Sequence, residues 1–228
     1  MSEPDPAPLT ETDLRLILAS ASPRRSELLA HLGVDFEVVV SGFDESSIST
    51  GRPETLARRL AQAKALEVSR IAQNAHVVAA DTVVVRRGMM LGKPADASEA
   101  RAMLSGLRGR VHRVITAVVV VSPRRPRARV AHAVSSVRMR AYTDAEIESF
   151  IATGRPFDKS GGYAIQDADF APVAAHEGCI CSVIGLPLWT VRQLLQRVAG
   201  IETSEPAYER CMECPLRAAD EAGERPQP

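Results

Sequence analysis

The stretch Leu16-Ile17-Leu18-Ala19-Ser20-Ala21-Ser22-Pro23-Arg24-Arg25-Ser26-Glu27-Leu28-Leu29 reads as a short apolar strand running straight into a polar turn that opens a helix. Ser22 takes the N-cap and Pro23 the first helical position. Free backbone N–H groups and the positive end of the helix dipole then face back toward the strand end. Two arginines in that first turn run against the dipole, which favours Asp or Glu there, and a local rule broken at a helix start points to function. Their planar, forked donors match phosphate oxygens. The plainer reading is a capped surface helix with solvated arginines, so the fragment alone leaves both open.

Working outward, residues 14–200 alternate strand-like and helix-like segments, the pattern of an α/β fold. Strands are expected at Leu14–Ala19, Phe36–Val40, His76–Val85, Val111–Val121, Val130–Met139 and Cys179–Ile184. Helices are expected at Pro23–His31, Pro53–Ser69, Ala97–Leu107, Asp144–Ile151 and Pro187–Val198. Ser98 before Glu99 and Thr143 before Glu146 read as caps, and Gly33, Gly109, Gly154 and Gly200 as helix or turn stops. The arginine-rich, proline-bearing Ser122–Arg129 reads as a hairpin tip. Residues 1–13 read as a flexible leader, and residues 201–228 as a polar, disordered tail outside the fold.

The 28 basic and 28 acidic residues cancel, so no global field argues for nucleic acid or an anionic membrane surface as partner. Any affinity for anions must be local. No run approaches the roughly 20 apolar residues of a membrane span, and Met1 to Thr10 lacks a signal pattern, so the cytoplasm is the default location. Cys179, Cys181, Cys211 and Cys214 are the four cysteines. Cys211-x-x-Cys214 with no matching second pair reads as free thiols in a reducing compartment before it reads as a zinc site.

Asp81 interrupts the apolar run Val77–Val85. A carboxylate there is costly unless paired, hydrogen-bonded or bound to a metal, so Asp81 is a candidate metal ligand or general base. Lys93 sits in the rigid turn Leu91-Gly92-Lys93-Pro94, which can aim its ammonium. Lys64 lies on a helix with a small-residue face of Ala57, Ala61 and Ala65, where a solvated lysine is the plainer reading. Asp44 and Glu45 follow the second strand and suit either a hard cation or a turn. The Gly-rich loop from Gly154 to Gln166 permits close backbone approach, and Gln166 offers the donor and acceptor a base edge requires. His112 reads as a strand-edge histidine. Walker A, GxGxxG, GxSxG and HExxH patterns are all missing from the sequence.

Together these pieces resemble the Maf family of nucleoside triphosphate pyrophosphatases. The matching stretches are LILASASPRRSELLAHLG (16–33), FDES (43–46), AADTVV (79–84), LGKP (91–94), GRVHRVITAV (109–118), GRPFDKSGGYAIQ (154–166) and VIGLPL (183–188). The resemblance implies an α/β unit with a long, twisted mixed sheet and flanking helices. Its two lobes would enclose a central cleft, as in the related inosine triphosphate pyrophosphatases. It also implies hydrolysis of a nucleoside triphosphate to the monophosphate and pyrophosphate, with Mg²⁺ or Mn²⁺. By position, Ser20, Ser22, Arg24 and Arg25 would cradle the triphosphate, Lys64 and Lys93 would neutralise it, and Glu45 and Asp81 would hold the metal. Asp81 would also be the general base. Arg24, Thr82 and Gln166 resemble the branch acting on dTTP and UTP, and a dimer is common among similar proteins.

Two other readings compete. A non-catalytic, nucleotide-binding regulator of cell division would use the same cleft, but gains nothing from an aimed carboxylate. A phosphatase with Asp81 as nucleophile would want a second Asp two residues on, where this chain has Val83.

Overall fold

The computed structural model describes residues 14–123 and 128–224. Residues 1–13, four residues of the expected hairpin tip (124–127) and the last four of the chain (225–228) lie outside the described residues. A seven-stranded mixed sheet organises the chain, in the order β2-β1-β3-β5-β6-β7 with β4 paired to β3. Its strands are β1 (Arg15–Leu18), β2 (Glu37–Val38), β3 (Ala75–Arg86), β4 (Met89–Leu91), β5 (Val111–Val121), β6 (Arg129–Met139) and β7 (Val173–Glu177). β1 runs parallel to β2 and β3, and every other pairing is antiparallel. The helices are α1 (Pro23–Ala30), α2 (Pro53–Ile71), α3 (Ala97–Leu107), α4 (Asp144–Ala152), α5 (Ile180–Ile184), α6 (Leu188–Leu194) and α7 (Pro215–Glu221).

The period of two along β3 divides the core. Val77, Ala79, Val83 and Val85 pack with α2, whereas Val78 and Ala80 pack with α1, α5 and α6 on the other face. A third cluster around α3, α4 and the Gly-rich loop covers the outer part of the sheet and includes Val84, Val114 and Tyr163. Along α2 the buried residues Leu56, Ala57, Leu60, Ala61, Lys64, Ala65 and Val68 recur at helical spacing. Lys64 is thus carried on the buried stripe, not on a solvated face, and the small alanines beside it let helix and sheet approach.

Several expectations are corrected. Cys179–Ile184 is not a strand. Cys179 is the N-cap of α5, and the turn closes where the Gly185 N–H donates to Cys181 O. A six-residue apolar run carries too little periodicity to separate strand from buried helix. The strands β4 and β7 arise where no strand was expected. The cap of α3 is Asp96, whose side chain accepts from Glu99 N–H, and not Ser98. Thr143 does form the expected capping box with Glu146.

The tail is the largest correction. Residues 201–224 are laid along the core instead of standing outside it. Ser204 N–H donates to Leu32 O and Ala207 N–H to His31 O, both at 2.9 Å. Gly33 makes this approach possible: its φ is +66°, and a Cβ there would stand 2.8 Å from Ser204 Oγ. Buried Trp189 donates from Nε1 to Cys211 O at 3.2 Å, and Arg192 pairs with Asp220 at 2.8 Å. Among the described residues, no helix is long and apolar enough to cross a membrane.

Candidate active site

A cleft of about 560 Å³ opens where the C-terminal end of β1, the middle of β3 and the Gly-rich loop meet. The ten residues to which the resemblance gives a site role line it: Ser20, Ser22, Arg24, Arg25, Glu45, Lys64, Asp81, Thr82, Lys93 and Gln166. They come from segments scattered over most of the chain, so their convergence is a property of the fold and not of one motif. Asp44 does not line the cleft; it caps a short exposed turn, accepting from Ser46 N–H at 2.9 Å.

The β1–α1 turn is built as the sequence suggests. Ser22 is the N-cap, with Pro23 next, and no side chain caps the turn. Ser22 N–H donates to Ser20 Oγ at 3.2 Å. The two arginines diverge. Arg24 reaches across the cleft mouth to Asp158 at 3.3 Å. Arg25 turns inward, donating from Nε to Gly185 O at 2.9 Å, from Nη1 to Ser20 Oγ at 3.3 Å and from Nη2 to Thr82 Oγ1 at 3.2 Å. Gly185 has a φ of +132°, and a Cβ on it would lie 3.3 Å from Arg25 Nε. That position accommodates the guanidinium.

Asp81 lies mid-strand on the α2 face and is only 6% exposed. Lys64 Nζ stands 2.6 Å from Asp81 Oδ1 and 2.9 Å from Glu45 Oε1, so one ammonium bridges both carboxylates. Burial pushes the Asp81 carboxyl above its ordinary value, and the nearby charges of Lys64 and Arg25 oppose that shift without cancelling it. Glu45 goes the other way. Burial works against its ionisation, but the hydrogen bond and charge of Lys64, with Lys93 and Arg25 behind, hold it below the ordinary value. The two acids therefore differ in proton affinity, the pattern expected where one takes up a proton and the other stays charged.

Thr82, one residue on, faces the opposite way. Thr116 Oγ1 donates to Ser182 O at 2.6 Å. In the 2.9 Å contact between Thr82 and Thr116 the proton therefore comes from Thr82, which in turn accepts from Arg25. Its hydroxyl is engaged within the protein. Lys93 and Gln166 are exposed at the rim. Gly161 N–H donates to Gly92 O at 2.9 Å, tying the Gly-rich loop to the turn that carries Lys93.

Sequence reading did not give roles to Asp158, the partner of Arg24, or to Tyr163, which lines the cleft. Tyr163 Oη is 2.6 Å from His112 Nε2. His112 is buried inside β5 rather than standing at an edge, and burial lowers its pKa to about 4. The Gly-Gly-Tyr sequence was the available signal, because an aromatic after two glycines anchors a loop that otherwise has little to bury.

The family model described as Maf-like protein matches residues 15–198. A dTTP/UTP pyrophosphatase of Thermomicrobium roseum is 49% identical over 212 residues, covering 91% of this chain and 96% of the relative. A second, from Syntrophotalea carbinolica, is 44% identical over 204 residues, 88% of this chain and 92% of the relative. One from Deinococcus radiodurans is 45% identical over 191 residues, 84% and 96% of the two chains. Among solved structures, a HAM1 protein from Coxiella burnetii overlaps 57% of this chain and 74% of its own, at 16% identity and a TM-score of 0.40.

Proposed function

The chain belongs to the Maf family, and on that premise we propose that it hydrolyses nucleoside triphosphates, dTTP and UTP foremost, to the monophosphate and pyrophosphate. The observation that carries this reading is the pairing of a buried carboxylate with a wall of cations in one cleft: Asp81 beside Lys64, with Arg24, Arg25 and Lys93 lining the same space. A cleft for binding alone needs the cations and is weakened by the acid, which repels phosphate.

The β1–α1 turn and its backbone N–H groups hold the phosphates, and Arg24 and Lys93 close over their charge. Glu45 and Asp81 are hard oxygen donors. Two carboxylates completed by substrate phosphates are a usual complement for Mg²⁺ or Mn²⁺, so the residues present fit such an ion. When bound, the ion would supply charge neutralisation on the phosphate oxygens. Asp81 takes the proton of the attacking water, a role that its raised proton affinity supports. Water oxygen joins phosphorus as the bond between the α- and β-phosphates breaks, and the bridging oxygen leaves with its electron pair. Lys64 holds Asp81 in place and moderates its charge. Gln166 reads the base edge at the rim.

The test is product analysis with Mg²⁺ and, separately, dTTP, UTP, GTP and 7-methyl-GTP. Monophosphate and pyrophosphate from dTTP and UTP are expected. Orthophosphate without pyrophosphate would overturn the reaction, and preference for a guanine nucleotide would overturn the base assignment alone. Tight nucleotide binding without turnover would favour a regulator.

A further inference from the structure

All four cysteines of the chain converge at one place, and the cleft uses none of them. Cys179 and Cys181 flank the start of α5, and Cys211 and Cys214 span the turn before α7. About thirty residues separate the two pairs. All four are buried, none more than 6% exposed, in the cluster formed with Trp189, Val118 and Val120. Within that cluster the side chain of Cys179 lies next to those of Cys181 and Cys214, and the side chain of Cys181 next to that of Cys211. The sulfurs thus form one chain that crosses twice between the core and the tail.

Backbone donors are aimed at this chain. The amides of Cys181 and Ser182 lie close to Cys179 sulfur, and that of Leu216 close to Cys214 sulfur. Amides pointed at sulfur stabilise thiolates and orient them as metal ligands. A C-x-C pair facing a C-x₂-C pair supplies the four sulfurs of a closed tetrahedral site. Residues 201–224 are largely polar, and helix α7 buries no residue completely.

We propose that Cys179, Cys181, Cys211 and Cys214 form a structural tetrathiolate site for one thiophilic divalent cation of the zinc class, which fastens the C-terminal segment to the sheet. Among the described residues no three His, Cys, Asp or Glu side chains already stand in an arrangement that could hold a metal ion, so the cysteines must close up around it. Uptake would draw the sulfur chain together, and each cation bound would displace the protons of four thiols: four RSH and M²⁺ give M(SR)₄²⁻ and four H⁺. The site is distinct in chemistry from the oxygen donors of the cleft, so the two ions do not compete.

The full chain, purified under reducing conditions, would be equilibrated with Zn²⁺, desalted and assayed for metal. One zinc per chain is expected, released on titration of the thiols with an organomercurial. Replacing zinc by Co²⁺ should give the intense visible bands and near-ultraviolet sulfur charge transfer of tetrahedral tetrathiolate cobalt. Both signals should vanish in the Cys211→Ser/Cys214→Ser double variant, and a chelator should lower the melting temperature of the unmodified protein. A chain that keeps four titratable thiols and no metal, or that carries a Cys179–Cys214 disulfide, would overturn the proposal. Cobalt bound without charge transfer would overturn it as well. The cobalt spectrum needs no variant, so the test survives if the double variant does not fold.

Discussion

Asp81 and Thr82 are neighbours in β3 that project to opposite faces of the sheet, and the two faces treat polarity differently. On the α2 face a full negative charge is buried against a single ammonium, which also answers to Glu45. On the other face Arg25, Thr82, Thr116 and Ser182 form a relay of hydrogen bonds that runs from guanidinium through two hydroxyls to a backbone carbonyl. The ionic face leaves its groups with unmet capacity that a substrate can complete. The hydroxyls of the other face are engaged with one another and with backbone, and their product is a fixed position for Arg25. Removing a group from the first should disable chemistry or expose a bare charge, whereas removing one from the second should shift geometry.

The largest effect should follow from Asp81→Asn. Turnover of dTTP should fall roughly 10²–10⁴-fold, the range for a general base, while chemical denaturation shows no loss of stability. That pairing of outcomes follows from burial, because the charged carboxylate is the form that the site disfavours. Retained turnover would move the water chemistry away from the ionic face.

Lys64→Met is the structural counterpart. It leaves Asp81 buried without its closest partner, which should cost about 3–5 kcal/mol in urea unfolding. The double variant Lys64→Met/Asp81→Asn should recover most of that loss. Simple additivity of the two changes would show that the pair is not coupled, and the contrast between the faces would weaken.

The hydroxyl face has its own response to acid. His112 belongs to it, buried beside Tyr163 with its pKa lowered to about 4. Its ordinary value is 6.5, so the unfolded chain takes up a proton that the fold resists. Stability from this group is therefore complete above about pH 6.5 and drains as pH falls toward 4, by about 3 kcal/mol in all. Denaturation midpoints measured across that window should fall more steeply for the unmodified protein than for His112→Gln. Equal slopes would mean that the histidine is not held neutral.

Both faces were partly legible in the sequence, for different reasons. Asp81 stood out because an ionisable residue in a run of valines breaks a local rule, and such breaks cluster at sites. The β1–α1 turn was legible through Ser22, Pro23 and two misplaced arginines. Which arginine turned inward was not, since that depends on Gly185, which lies 160 residues on from Arg25. Lys64 was read with its small-residue stripe, yet only packing shows that it shares the stripe's buried face. The Cys-Ile-Cys helix and the packed tail were hidden because their stabilising partners are tertiary: Trp189 for Cys211, Leu32 for Ser204, and the cysteines for one another.

The smallest effect separates two roles for Thr82. As a residue that touches the base, it would set the preference for dTTP. As a member of the relay, it positions Arg25 and is spent on Thr116. Thr82→Val keeps the β-branched shape suited to a strand and removes only the hydroxyl. Arg25 Nη2 loses its acceptor but keeps two anchors, through Nε to Gly185 O and Nη1 to Ser20 Oγ. One lost hydrogen bond is worth about 1 kcal/mol, or about fivefold. The variant should therefore lose about fivefold in kcat/KM on dTTP and UTP alike, mostly in KM, with selectivity between nucleotides unchanged. A selective loss on one base would place Thr82 against the substrate and make the hydroxyl face part of the recognition surface.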